Sequence, residues 1–482
     1  MMRSLFSGVA GLKTHQTRMD VIGNNIANVN TTAYKSQSMT FSDLMYQTTQ
    51  AASGANATTG VGGINARQIG LGSKTAAIKT AIASQGSAQS TNDPFDIMIN
   101  GDAFFVVSNG SENFFTRDGS FYIDGQGNLA MTSTGYNVMG WQVDPADPGN
   151  IKKDTVTPLR IMTEENMTYP PEATTKATIS GIVDKFDMDV NSDSGKVMNL
   201  EVYDNQGYVY TVKLSVHSIN GDAGQFYVQL DDIKDSDGKS IMDREVTGAA
   251  AGTTVKDLVK LNPDDAGNAG SVTIPGAAGG ADKTIANAAT LNYVSGKGTF
   301  ENVGGEAGTE GDKSIKLSFG GIANFPADIE LDFSASYNYN KNGTSTIGAV
   351  RGVDGGKGSG RAIGEMSGIT VQKDGMIYAS YDNGQRKLLG QISTATFANP
   401  SGLAKEGDNL YSATLNSGDF DGIGEDITAG GGRMESGVLE MSNVDLSAEF
   451  TEMITTQRGF QANSRIITVS DTLLEELTNL KR

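Results

Sequence analysis

The sequence predicts a multidomain chain in which a terminal α-helical coiled coil joins mainly antiparallel β domains. The domains are nested: the N- and C-terminal halves pair, and outer β domains are inserted between them. Three observations lead there. Both ends read as long amphipathic helices without a partner nearby, two blocks of short strands flank a long middle, and 482 residues exceed one ordinary core.

In the first helix Leu5, Val9, Leu12, Gln16, Met19, Gly23 and Ile26 follow at alternating steps of four and three. That is the spacing of a heptad seam, weakened by Gln16 and Gly23, with Ile22 beside it. The stretch NNIANVNTTAYK, from Asn24 to Lys35, then carries asparagines where the helix must stop. Asn24 and Asn25 belong to its last turn, while Asn28 and Asn30 favour its end and a change of backbone direction. With Thr31 and Tyr34 they make an expected junction, whose side-chain amides can bond backbone groups left open there.

The last helix opens at SNVDLSAEF, where Ser442, Asn443 or Asp445 can cap it and Glu449 suits its first turn. Phe450, Met453, Ile454, Phe460, Ile467 and Leu474 form one stripe, which Ile466, Val469, Leu473, Leu477 and Leu480 widen. From Leu446 it runs without proline to the last residue given, longer than most globular helices. Each helix would leave an apolar stripe in water unless it met the other helix or another molecule. On residue physics alone, an intramolecular pair is the simpler account.

Between the ends, FDIMINGDAFFVVSNGSENFFTRDGSFYIDGQGNLAMTSTGYNVMGWQV is a run of short strands broken at Asn100-Gly101, Asn109-Gly110, Asp118-Gly119 and Asp124-Gly125. A matching block downstream turns at Asp374-Gly375 and Asn383-Gly384. One β domain built from both blocks, with a further domain between them, is expected. The insert opens with a hairpin turning near Asn205-Gln206-Gly207 and continues into an Ala-, Gly- and Thr-rich stretch. The expected layout is a helical domain from 1–30 and 441–482, a connecting segment from 31–75 and 405–440, a β core from 76–165 and 358–404, and one or two outer β domains in 166–357.

Composition narrows the function classes. A formal charge of −19 and a pI near 4.6 make nucleic acid and anionic lipid poor partners. With no cysteine, disulfides, thiolate metal sites and cysteine nucleophiles are excluded. His15 and His217 are the only histidines and read as surface residues. No stretch approaches the ~20 apolar residues that span a bilayer, so no membrane insertion is expected. The start lacks the apolar run and cleavage site of a secretory signal.

No catalytic or cofactor constellation emerges, so no cofactor, metal or enzyme activity is expected. DVNSDSG spaces Asp189, Asn191 and Asp193 like a calcium loop, but its glycine is one place late and no Glu follows at the twelfth position. GAAGGADKT and GGKGSGRAIG lack phosphate-loop spacing, and no GxSxG elbow accompanies a usable histidine.

NNIANVNTTAYK closely resembles the motif closing the N-terminal helix of bacterial flagellar rod and hook proteins. DPFDIMINGDAFFVV, FTRDGSFYIDGQGNL and GYNVMGW resemble the core-domain signatures of that family, and ESGVLEMSNVDLSAEFTEMITTQRGFQANSRIITVSDTLLEELTNL resembles its C-terminal part. The likeness spans about 1–145 and 360–482. One departure is Ala33, where a glycine is common. The large insert favours the hook branch over the shorter rod branch; a secreted β-rich adhesin is a rival from another class. The resemblance implies self-polymerisation into a curved hollow tube that acts as a universal joint. It also implies terminal stripes serving both intramolecular and intersubunit packing, and export through the flagellar apparatus without a cleaved signal. The implied partners are copies of the chain, rod, hook-cap and hook–filament junction proteins, and the export apparatus. The implied location is extracellular.

Overall fold

The computed structural model describes residues 2–480 except 55–59, 61, 145, 221–222, 247–249, 251, 263–269, 275–281, 305–310, 321 and 354, and omits the side chains of 2, 3 and 220. Most of GAAGGADKT lies outside the described residues. The chain forms two compact units. One comprises Met1–Met167, Ser367–Ser380 and Arg386–Arg482; the other comprises Thr168–Met366 and Tyr381–Gln385.

In the first unit the terminal helices, Met2–Ala27 and Leu446–Asn479, pack against each other. They run antiparallel: Gly8 lies against Ile467, Gly11 against Asn463, Gly459 against His15, and Arg18 bonds Glu452. The C-terminal helix is capped by Asp445, whose carboxylate accepts the Ser447 and Ala448 amides and so satisfies donors that the first turn leaves open.

After the N-terminal helix the chain forms a two-stranded arm. Gln37–Asp43 pairs with Ser73–Thr80, and Tyr46–Gln50 with Arg67–Gly70. Thr14 meets Ser73 at 3.2 Å, so the inner part of the arm lies along the first helix.

The β core of this unit interleaves both halves of the chain. Its sheet runs through Met376–Tyr381, Arg386–Ile392, Asn137–Asp144, Phe104–Ser108, Asn113–Thr116, Leu410–Ser412 and Ala404–Gly407. Gly140 pairs with Ile392, Leu410 with Thr116, Met434 with Ile99 and Leu439 with Gln89. Phe104, Phe105, Phe115 and Trp141 are buried, and the Trp141 indole donates to the Asp154 and Ile423 carbonyls at 3.0 Å each. Leu410, Tyr411 and Met434, from the segment 405–440, bury their side chains, and their strands pair with core strands.

The second unit is a sandwich of two five-stranded sheets. All strand pairs in them are antiparallel except Lys176–Val183 with Asp328–Asn338. The expected hairpin is present: Lys196–Tyr203 pairs with Val209–Asn220, and the Asp204 carboxylate accepts the Gln206 and Tyr208 amides across the turn. Ile179, Leu331 and Phe333 from one sheet share a core with Leu200, Leu214, Val228 and Leu291 from the other. Two sheets facing inward across one core make the described insert one compact body.

His217 does not lie on the surface. Its ring stacks on Tyr227 at 4.8 Å, and Gly195 leaves room that a Cβ would take, 2.5 Å from its Nε2. His15 is half-buried beside Phe41 and Gly459. Hydrophobic pattern places strands, but it does not say which polar side chain a neighbouring strand covers.

Candidate functional site

Two features stand out in the first unit: the faces of the helix pair, and the junction at its root. Gly8, Gly11 and Gly459 line the interhelical seam, with Thr456, Asn463 and Ser470 on the same side of the C-terminal helix. A Cβ on Gly11 would sit 2.7 Å from the Asn463 amide, and one on Gly459 would sit 2.6 Å from the His15 ring. Small residues let the two backbones approach closely, and Ile467, whose Cγ1 would lie 3.3 Å from a Cβ on Gly8, packs into the same seam.

The apolar stripes divide accordingly. Ile22 is buried; Leu5, Leu12, Met19, Ile26, Met453, Ile467 and Leu474 are half-buried. Val9, Phe450, Ile454, Phe460, Leu473, Leu477 and Leu480 are exposed, as are Phe6, Ile466 and Val469. The seven-residue spacing therefore does not mark a wholly buried intramolecular seam. Within one chain, a large apolar surface of the helix pair faces solvent.

At the root, Asn25 is fully buried and its amide is saturated. Its Nδ2 donates to the Gln37 carbonyl and to Glu449 Oε1, both at 2.8 Å. Its Oδ1 accepts from the Gln37 amide at 2.9 Å and the Tyr34 hydroxyl at 3.2 Å. Asn24 donates to the Tyr34 hydroxyl, and Asn28 donates to Asn24 and accepts from Thr31. Five of the six expected junction residues thus form one network; Asn30 is exposed outside it. Asn443, one of three candidate caps, has another task. It accepts the Ser36 amide and donates to the Ala81 and Ser84 carbonyls.

Sequence reasoning missed a cluster of buried charge. Lys35 Nζ lies 2.6 Å from Glu440 Oε1, and Arg117 Nη1 lies 3.9 Å from Glu440 Oε2. Burial pushes both cations down from their usual pKa values, against the pull of Glu440. Burial also raises the Tyr411 hydroxyl to about 12 and raises Glu449. The one available signal was placement, since Lys35 closes the asparagine motif and Glu440 precedes the helix cap.

In the calcium-like loop, Asp189 Oδ2 accepts from Lys196 at 3.0 Å and Asn191 donates to the Lys185 and Asp187 carbonyls. Among the described residues, no group of three His, Asp or Glu side chains gathers as a metal site, and no helix is long and apolar enough to cross a membrane.

The paired terminal helices, with their bare apolar face, are rooted on a β core built from both halves of the chain, and the sequence matches of those same parts are to flagellar rod and hook proteins. Residues 5–35 match the family model described as flagella basal body rod protein. Residues 98–182 match that of the flagellar hook protein FlgE/F/G D1 domain, and 435–480 that of the flagellar basal body rod FlgEFG protein C-terminal. The flagellar hook protein FlgE of Borreliella burgdorferi is 34% identical over all of both chains, and that of Treponema pallidum 32% over all of both. The flagellar basal-body rod protein FlgG of Bacillus subtilis is 28% identical, again over all of both chains. The chain belongs to the flagellar hook protein family.

Proposed function

We propose that this chain is the structural subunit of the bacterial flagellar hook, polymerising into a curved hollow tube that carries torque from motor to filament as a universal joint. The observation that carries this reading is the division of the helix pair. Gly8, Gly11, Gly459, Asn463 and the half-buried Ile467 meet in the intramolecular seam, while Phe450, Ile454, Val469, Leu473 and Leu477 stay exposed. That surface suits burial against further copies, in the manner of coiled-coil packing between subunits. The second unit presents an acidic, polar exterior on a closed sandwich core, a surface whose wet contacts exchange cheaply as a tube bends. Export through the flagellar apparatus, an extracellular position, and rod, hook-cap and junction proteins as neighbours belong to the same reading.

Electron microscopy of the purified full-length chain tests it beside the double variant Leu473→Glu/Leu477→Glu. The parent should form curved tubes, and the variant should stay monomeric with unchanged β-sheet circular dichroism. Normal tubes from the variant would remove the role given to the exposed stripe. Straight, rigid tubes from the parent would favour a rod subunit, and a ligand-binding monomer an adhesin.

A further inference from the structure

Leu415 is 103% exposed, so its own chain gives its side chain no cover. A single exposed leucine is ordinary on a surface. The turn that carries this one is held from every side. The Ser417 amide donates to the Thr414 carbonyl at 3.0 Å, and the Ser417 hydroxyl accepts the Thr414 amide at 2.8 Å. The Thr414 hydroxyl donates to the Gly402 carbonyl at 2.6 Å, and Asn399 Nδ2 donates to the Asn416 carbonyl at 3.0 Å. On either side, Tyr411 is buried and Phe420 packs on Phe115 with ring centres 5.3 Å apart. The backbone under Leu415 is fixed before anything docks on it, so burying that side chain costs little ordering entropy.

The same unit carries a recess that Leu415 does not fill in its own chain. Val371, Met434 and Val438 line a groove of about 690 Å³, with Lys373 and Arg433 at its rim. Its two sides are tied by the Met434 amide, which donates to the Lys373 carbonyl at 2.9 Å. A methionine wall adapts to an inserted aliphatic side chain. Charge agrees with shape. From Leu410 to Asp426 the knob segment carries Asp419, Asp421, Glu425 and Asp426 and no Lys or Arg. At the groove Arg433 is held by Glu435 at 3.0 Å, which leaves Lys373 as the cation to meet the exposed Asp419.

We infer that Leu415 is a knob that seats in the Val371–Met434–Val438 groove of the next copy of this chain. A knob and a recess at different places on one body make a heterologous contact, which repeats into an open filament where its rotation does not close a ring. The inference rests on the reading of the chain as a self-assembling subunit and adds a contact separate from the helix stripes.

Cysteine pairing tests it, because the chain has no cysteine of its own. Leu415→Cys mixed with Gln372→Cys, at an exposed residue of the groove, should give covalent dimers on mild oxidation. The double variant should give a ladder of multimers. Equal yield of dimers from Leu415→Cys alone would mean that two knobs meet each other, and the groove assignment would fall. Leu415→Asp should leave the melting midpoint unchanged and raise the protein concentration needed for tubes about tenfold. An unchanged concentration would overturn the knob. Parent tubes without any crosslink in the double variant would strike the knob and leave the subunit reading standing. A parent that forms no tubes would strike the subunit reading, and the mixed single variants in concentrated solution would then decide the knob by themselves.

Discussion

Asn25 Nδ2 donates to Glu449 Oε1 at 2.8 Å, joining the last turn of the first helix to the first turn of the last across 424 positions of chain. The same amide group bonds the carbonyl of Gln37, where the arm begins. One side chain therefore ties both helices to the segment that leaves them.

Asn25→Ala should destabilise the first unit by about 2–3 kcal/mol, because it strands the Gln37 backbone, the Tyr34 hydroxyl and the buried side of Glu449 together. Urea unfolding of the full chain measures this. Asn30→Ala, at the exposed asparagine, should change little.

Two glycines of the first helix should respond in opposite ways. Nothing lies within 4 Å of a Cβ on Gly23, so Gly23→Ala should gain about 0.5–1 kcal/mol of helix stability in the free chain. Gly11→Ala drives a methyl against Asn463 and should push the helices apart despite the same gain in propensity. Helical circular dichroism against temperature separates the two.

Ala33 holds φ at +55°, a left-handed conformation fixed by its amide donating to the Glu440 carbonyl at 2.7 Å. A side chain there is strained and a glycine is not. Ala33→Gly should raise stability by about 0.5 kcal/mol net of the greater flexibility glycine gives the unfolded chain, read as a shift in urea midpoint.

Burial holds His217 below its usual value of 6.5; the nearby Asp231 and Asp193 carboxylates oppose that shift and Lys283 adds to it. Its Nε2 lies 3.0 Å from Ser215 Oγ, which donates to Asp231. The unfolded chain therefore takes up a proton at higher pH than the folded one. Stability of the second unit should be full above about 6.5 and decline as pH falls from there towards the lowered folded value. Unfolding at pH 7 and pH 5 should show a smaller loss for His217→Gln than for the parent, a comparison that cancels the carboxylates common to both.

What the sequence by itself determined was local. The spacing of apolar residues marked both terminal helices, Asp445 was among the cap candidates, and the turn before Gly207 marked its hairpin. These features depend on neighbours within a few residues, where helix and strand periods and turn chemistry act. The tertiary structure decided which helix face meets the partner. Gly8, Gly11 and Gly459 permit close approach, so the small-residue side is covered while Leu473 and Leu477 remain exposed. Amphipathic spacing says that a helix has an apolar side, not whether that side or the one with room for a second backbone meets its partner. Burial of Lys35, Arg117 and Glu440 was equally hidden. A charged residue reads as solvent-facing until another part of the chain, hundreds of residues away, arrives with the opposite charge and closes over it.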